Sequence, residues 1–480
     1  MDQLVEPKGE AAETGGDRPL YKKRAAIHPK LVFGRYRQIK WAALAVLLAV
    51  YYLLPWVRYD RGPAAPDQAV LIDVPARKFY FFFIEIWPQE VYYWTGLLIV
   101  AAVGLFFISS LFGRVWCGYA CPQTVWTDLF IYIERLVEGD RNARIKLAAA
   151  PWGPLKIGKK ALKHAIWIAI GLATGGAWVF YFADAPTLFH DLIAGEAPLA
   201  AYLTIAILTA TTYAFAGFAR EQICTYVCPY ARFQAAMFDE DTMLVSYQAA
   251  RGEPRGSHKK GASWEGRGHC VDCNQCVVVC PMGIDIRNGQ QMECITCALC
   301  IDACNGVMDK VGLPRGLIRY DTLRNMQARA AGQVPRVRLI RIRTLVYAGV
   351  LLAAAAAILI SLASRADLDI TVQRDRNPVY VTLSNGDIRN GYTIKVLNKA
   401  HEVRSLVISA EGLPGAGLEV QGHDVAELRI GPDQIEAFRV FVRVPGKLLA
   451  ETSSSFAFVL TEAGGGTRAE HGSVFVGPKR

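Results

Sequence analysis

Histidine is scarce in this chain, 8 residues in 480, and His164 and His190, which flank the third apolar run, lie at its opposite ends. A b-type haem needs paired axial ligands that face each other within the spans, so no haem is expected. Cysteine is absent beyond Cys304, which removes disulfides and metal thiolates from everything that follows. Lys and Arg are missing between Asp184 and Pro198, the mark of a connection on the outer face of a membrane. No signal peptide is expected, because a long polar tail with Lys22, Lys23, Arg24, Lys30, Arg35, Arg37 and Lys40 precedes the first apolar run.

What is abundant is apolar. The chain is 52% hydrophobic and 20% charged with a formal net charge of +10, which describes a membrane protein with basic soluble faces. Its cations cluster beside apolar runs, where the positive-inside rule accounts for them, and no nucleic-acid partner is expected. Runs close to the ~20 residues that cross a bilayer occur at Ile39–Val57, Val91–Leu111, Ala165–Phe182, Leu199–Phe218 and Leu345–Ala363, which makes about five spans. The second connection carries Arg114, Arg135, Arg141, Arg144, Lys146, Lys156, Lys159 and Lys160, so the N-terminus is placed inside and the C-terminus outside. The aromatic stretch Phe79–Trp87 is too short and interrupted to span and reads as an outer-surface anchor.

Two cysteine runs carry the chemistry: Cys270-x-x-Cys273-x-x-Cys276-x-x-x-Cys280-Pro281 and Cys294-x-x-Cys297-x-x-Cys300-x-x-x-Cys304. This doubled spacing is that of a bacterial two-cluster ferredoxin, in which the fourth cysteine of each run reaches the other cluster. The expected ligand sets are Cys270, Cys273, Cys276 and Cys304 for one 4Fe-4S cluster, and Cys294, Cys297, Cys300 and Cys280 for the second. A zinc ribbon needs two C-x-x-C pairs across a longer spacer. A disulfide framework is disfavoured by the Lys and Arg nearby, which place the segment on the reducing side. Asn305 follows Cys304 where Pro281 follows Cys280, a difference of local turn and not of ligands. His269, beside Cys270, reads as an exposed loop histidine.

The other four cysteines form two matching hexapeptides, Cys117-Gly-Tyr-Ala-Cys121-Pro122 and Cys224-Thr-Tyr-Val-Cys228-Pro229, each after an inward-running span. They read as an internal repeat of two helix pairs. Four apart on a continuing helix, both sulfurs of a pair fall on one face. Convergence of the two pairs gives four soft ligands suited to Cu(I) or zinc, and able to hold a further iron–sulfur cluster. Four small buried side chains in a helical bundle are the plainer alternative. After the first pair, Thr124–Val137 is amphipathic and is expected to lie on the membrane surface. Asp239, Glu240 and Asp241 read as a solvated acidic face.

Beyond Arg365 the pattern alternates, as in Tyr392–Val396, Phe438–Val444 and Phe456–Leu460, with turn signals at Asn385-Gly386, Gly412–Gly415 and Gly464–Gly466. An immunoglobulin-like sandwich follows, its role either docking or passive capping. The fold class is thus a multi-domain membrane protein: an α-helical transmembrane bundle, a cytoplasmic two-cluster ferredoxin-like module and a C-terminal all-β immunoglobulin-like domain. The expected boundaries are 1–38, a basic tail; 39–218, a four-span membrane domain; 219–343, the ferredoxin-like domain; 344–364, the fifth span; and 365–480, a periplasmic domain.

The strings Gly113–Thr127, Arg220–Gln234, Arg251–Arg255, the two ferredoxin runs and Gly316–Asp321 together resemble the cbb3-type cytochrome c oxidase accessory proteins called CcoG, RdxA or FixG. The resemblance covers nearly the whole chain. It implies an inner-membrane protein that reduces Cu(II) to Cu(I) during oxidase assembly, with Cys117, Cys121, Cys224 and Cys228 as the candidate copper site. Implied partners are membrane lipid, copper ions, oxidase assembly factors and subunits, and an electron donor that the residues do not name, with a homodimer left open. Two other classes remain: an electron-transfer subunit of a quinol-linked membrane complex, and a redox-sensing assembly scaffold.

Overall fold

Helix α1, Arg35–Leu53, is the first helix of a computed structural model that describes residues 26–63, 65–258, 261, 263–425, 427–449, 451–463 and 465–478. Lys22, Lys23, Arg24 and Gly464, named above, lie outside the described residues. Two compact units result, one of Met1–Val57 with Ala69–Ile358, the other of Arg58–Gln68 with Leu359–Arg480.

In the first unit, strands β1 Val70–Asp73, β2 Lys78–Phe81 and β3 Ile84–Ile86 form an antiparallel meander. The segment read as an interfacial anchor forms β2, a turn at Phe82–Phe83 and β3, with Tyr80 and Trp87 buried and Phe83 exposed at the turn. Helices α2 Tyr92–Phe112, α3 Val115–Tyr119, α4 Pro122–Glu138, α5 Arg141–Ala149, α6 Pro154–Val179, α7 Ala185–Ala194 and α8 Leu199–Thr212 follow, the last continuing as a π-helical turn to Ala219. After them come α9 Tyr230–Ala236, β4 Leu244–Tyr247, α10 Ala249–Gly252, α11 Gln275–Val278, α12 Leu299–Lys310, β5 Ile318–Asp321, α13 Leu323–Ala330 and α14 Ile342–Ala363.

Among the described residues, five helices are long and apolar enough to cross a membrane: Arg35–Trp56, Pro88–Phe112, Pro154–Val179, Leu199–Ala219 and Ile342–Ala363. The third begins at Pro154 rather than near Ala165, because its early lysines have partners: Lys160 and Lys163 reach Glu138 at 2.9 and 3.1 Å. Helices α6 and α8 approach closely through small residues. A Cβ on Gly175 would stand 2.8 Å from the Ile205 carbonyl oxygen, and one on Gly171 3.1 Å from Thr209, the small-xxx-small packing of membrane helices.

Helix α4 turns its charged face inward. Its carboxylates Asp128, Glu134 and Glu138 are buried while Leu136 and Tyr132 are exposed. The 3.6-residue pattern is real, but the charged stripe turns inward to Arg37, Arg144, Lys163 and Arg220, because several cations converge there and pair it. The acidic run at Asp239 is likewise partnered: Asp239 with Arg341 and Asp241 with Arg324 at 2.7 Å.

The second unit is all β in its chain after α14. One antiparallel sheet has the order β10 Gly417–Val420, β12 Gln434–Pro445, β8 Asp387–Asn398, β6 Leu368–Arg374, with β7 Val381–Thr382 also on β8. The other has β11 Leu428–Ile430, β9 Arg404–Glu411, β13 Ser453–Glu462, β14 Arg468–Val476. Inward residues alternate, so that Tyr392, Ile394, Val396, Phe438, Val440 and Phe458 share one core, as an immunoglobulin-like sandwich requires.

Candidate functional site

Each ferredoxin run wraps its loop by the same backbone device. Asp272 and Asn274 in the first run, and Thr296 and Ala298 in the second, have φ of 53°, 55°, 51° and 61°. These are matching positions, two after the first cysteine and one after the second. Left-handed conformations at non-glycine residues cost energy and persist where the surroundings over-determine them. Asn274 and Ala298 then start α11 and α12, which carry Cys276 and Cys300. Arg287 secures the first loop, bonded to Asp272, Asn274 and Asp285.

Two cavities result. One is lined by Cys270, Cys273, Cys276 and Cys304 with Tyr247, Met308 and Ile318. The other is lined by Cys294, Cys297, Cys300 and Cys280 with Met282, Ile284 and Ile286, and Cys276 borders it too. The fourth cysteine of each run thus stands in the cavity of the other run. Burial pushes the Cys280 and Cys304 thiols up to about 12, and the Cys276 and Cys294 thiols to about 11, with neighbouring cysteines adding to it. Thiolates in such walls need a positively charged centre among them. Four soft donors in an apolar shell fit an iron–sulfur cube.

The paired cysteines follow spans that end alike. Gly113 has φ 61°, ψ −130° and Arg220 has φ 41°, ψ −112°, and each lies four residues before the first cysteine of its pair. The internal repeat is therefore visible in the backbone. Neither pair sits on a continuing helix. Cys117 lies in α3, whereas Cys121 is extended at φ −60°, ψ 129° and caps α4. Cys224 lies in a π-helical turn, Ile223–Val227, and Cys228 is extended at φ −76°, ψ 113°. Pro122 and Pro229 are the cause, since a proline disfavours the helical region for the residue before it.

All four thiols lie within electrostatic range. Burial first, and then Cys121 and Cys228, push the Cys117 thiol up against the opposing pull of Arg114. Cys224 is pushed up to about 12 by burial and by Cys121, Cys117 and Cys228. Among the described residues, no three or more His, Cys, Asp or Glu side chains close on the position of a single metal ion. Cys117 Sγ donates to Gln234 Oε1 at 3.2 Å, and Gln234 also accepts from Arg114 at 3.2 Å and donates to Ser109 at 3.1 Å. No sequence signal singled out Gln234, which comes from α9.

This group abuts the second ferredoxin loop. Cys117 and Cys224 share one apolar cluster with Cys280, Cys297, Met282 and Ile295. The Tyr119 hydroxyl donates to the Cys297 carbonyl at 3.1 Å, and Arg114 reaches the Met292 carbonyl. Asp302, on α12 between two cysteines, accepts from the Tyr36 and Arg37 amides at 3.3 and 2.8 Å, so the ligand-bearing helix also fixes the start of α1. His269 is a partnered loop residue, its Nδ1 accepting from Arg251 at 2.8 Å.

Residues 219–323 match the family described as the 4Fe-4S dicluster domain, residues 94–139 the 4Fe-4S binding domain, and residues 358–478 the IG-like fold at the C-terminal of FixG. The nitrogen fixation protein FixG of Rhizobium meliloti is 52% identical, with 92% of this chain and 90% of the relative covered. Protein RdxB of Cereibacter sphaeroides is 51% identical over 95% of this chain and 97% of its own. Protein RdxA of the same organism is 50% identical over 89% and 91%.

Proposed function

The chain belongs to the FixG and RdxA family of iron–sulfur membrane proteins, and from that premise we propose that it is a cupric reductase. In this reading it takes Cu(II) to Cu(I), one electron per ion, for assembly of a cbb3-type cytochrome c oxidase. The observation that carries it is the common apolar cluster in which Cys117 and Cys224 meet Cys280 and Cys297. Thiols suited to copper thus stand directly against thiols suited to an electron carrier.

We assign Cys270, Cys273, Cys276 and Cys304 to one 4Fe-4S cluster, and Cys294, Cys297, Cys300 and Cys280 to the other. When bound, the clusters supply electrons singly and at low potential. Cys117, Cys121, Cys224 and Cys228 hold the copper substrate. Thiolates prefer Cu(I) to Cu(II), so the site favours the product. Gln234 orients the Cys117 sulfur, and Arg114 favours its thiolate. The ferredoxin module faces the cytoplasm, where its thiols stay reduced. The β domain faces the periplasm and docks an oxidase subunit or assembly factor.

The test is anaerobic Cu(II) reduction by purified protein with chemically reduced clusters, wild type against the Cys117→Ser, Cys121→Ser, Cys224→Ser, Cys228→Ser variant, with iron content measured in both. Loss of copper reduction at full iron content supports the reading. Unchanged reduction overturns the copper site and favours the electron-transfer subunit.

A further inference from the structure

The two ferredoxin runs differ in how they meet the surface. Among the described residues Cys273 is the one exposed cysteine, and its neighbours Asp272 and Asn274 are exposed with it. Cys294, Cys297, Cys300 and Cys280 are all buried or half-buried, and Cys280 and Cys297 of that set share their apolar cluster with Cys117 and Cys224. Cys276 lines both cavities. A line of thiols thus leads from the surface at Cys273, past the shared wall at Cys276, to the paired cysteines. Electron transfer falls off steeply with distance, so a protein donor is served best where this line reaches the surface.

The rim of that loop is cationic. Residues 251–275 carry five Lys or Arg against three Asp or Glu. Nearby, Arg287 balances Asp285, and Arg315 balances Asp309 at 2.7 Å. Among the described residues, Lys30, Arg251 and Arg267 have no carboxylate partner. They reach the Gln275 side-chain oxygen at 3.2 Å, His269 Nδ1 at 2.8 Å and the Ser257 carbonyl at 2.7 Å. All three contacts border the first run: Gln275 lies between Cys273 and Cys276, His269 precedes Cys270, and Gly256, next to Ser257, donates to the Cys270 carbonyl at 3.1 Å. Such a rim attracts an acidic partner and speeds its arrival.

We propose that the Cys273 face is the port by which electrons enter, and that it docks an acidic iron–sulfur carrier protein of low potential. The proposal rests on the redox reading above and names its electron source. A donor to low-potential centres must itself lie as low or lower, and iron–sulfur carriers supply single electrons at such potentials. A small patch is enough, because redox encounters are brief and bury little surface. In each encounter the carrier is oxidised by one electron, which the ligand set of Cys273 receives. No bond forms or breaks, no proton moves, and one such electron reduces one Cu(II) to Cu(I).

The test uses full-length protein in lipid nanodiscs and, as probe, a purified acidic 2Fe–2S ferredoxin, reduced and freed of excess reductant under anaerobic conditions. Carbodiimide cross-linking, which joins carboxylates to lysine amines, is mapped by peptide mass spectrometry and is expected to link the ferredoxin to Lys30. Affinity for the wild type should fall as salt rises. Lys30→Glu removes the link and, combined with Arg267→Glu, weakens binding and slows reduction of the iron–sulfur centres by about tenfold or more at low salt and unchanged iron content. Lys395→Glu, an exposed change on β8, leaves both as they are. Cross-links that all miss Lys30, the lack of any, or binding indifferent to salt and to Lys30→Glu overturns the proposal. Cu(II) reduction driven by dithionite is measured on the same samples. Retained reduction without docking at Lys30 sinks the port alone, and docking with reduced centres but no copper reduction sinks the copper reading alone.

Discussion

The Tyr119 hydroxyl and the Cys297 carbonyl are joined by a hydrogen bond of 3.1 Å. That bond ties the turn between the first paired cysteines to the loop of the second ferredoxin run, although the two residues are 178 apart in sequence. Gly118, between them, is what permits the contact: a Cβ there would stand 2.7 Å from the Ile295 carbonyl oxygen and 3.0 Å from the Cys297 Cα.

Gly118→Ala is therefore expected to push two loops apart. The backbone it meets cannot swing aside as a flexible side chain can, so overpacking costs about 1–3 kcal/mol. A lower melting temperature, with iron lost preferentially from the second run, is the predicted result. An unchanged melt and full iron content would show that the junction is looser than its geometry.

The crossed ligand sets make a spectroscopic prediction. Cys304→Ala should alter the same paramagnetic signal as Cys273→Ala, and Cys280→Ala the same signal as Cys297→Ala, when reduced protein is examined by electron paramagnetic resonance. Each run keeping its own fourth cysteine would give the opposite grouping. Cys304 lines the cavity of Cys270 and Cys280 that of Cys294, and the proposed assignment predicts the crossed grouping.

Spacing made the ferredoxin runs legible, because three cysteines at intervals of three can wrap one corner of a cube and little else. The alternating strands of β8, β12 and β13 were legible for a similar reason: period two has one structural meaning. The direction of α4 was not. Periodicity finds a charged stripe but does not say whether water or cations face it, and here Asp128 and Glu134 meet Arg37 and Arg220 from distant segments. The continuing helix expected through each cysteine pair fails at Cys121 and Cys228 because of Pro122 and Pro229, a local rule that outweighs the attraction of an i, i+4 pair. Gln234 had no local signal, since its role comes from a contact 117 residues away.

Glu134 should give the fold a dependence on acid pH. Burial pushes its carboxyl up, but Arg220 at 2.7 Å, then Arg144 and Lys163, outweigh burial and hold it below the ordinary value. A depressed folded value contributes stability that is present above the unfolded value and lost as pH falls through the folded one. Melting temperature should thus drop below pH ~4.5 in the wild type. Glu134→Gln lacks this component and is less stable at neutral pH by about 3–5 kcal/mol, since Arg144 and Arg220 lose their carboxylate while Lys163 keeps Glu138. Parallel melting curves for the two proteins between neutral and acid pH would contradict the assignment.

Asp302 offers a test of how the membrane helix is held on the ferredoxin module. Its carboxylate accepts from the first amides of α1, Tyr36 and Arg37, and places a negative charge at the positive end of that helix. It does so from α12, between Cys300 and Cys304. Removing the cap in Asp302→Ala should cost about 0.5–2 kcal/mol, read as a fall in melting temperature together with faster proteolysis near Gly34. Asp302→Asn keeps an acceptor and loses only the charge, so it should fall between wild type and Asp302→Ala. If Asn is as damaging as Ala, the charge is the main attachment and added salt should weaken the wild type too. If neither variant changes the melt or the cleavage, α1 is held by its apolar face alone and the cap is incidental.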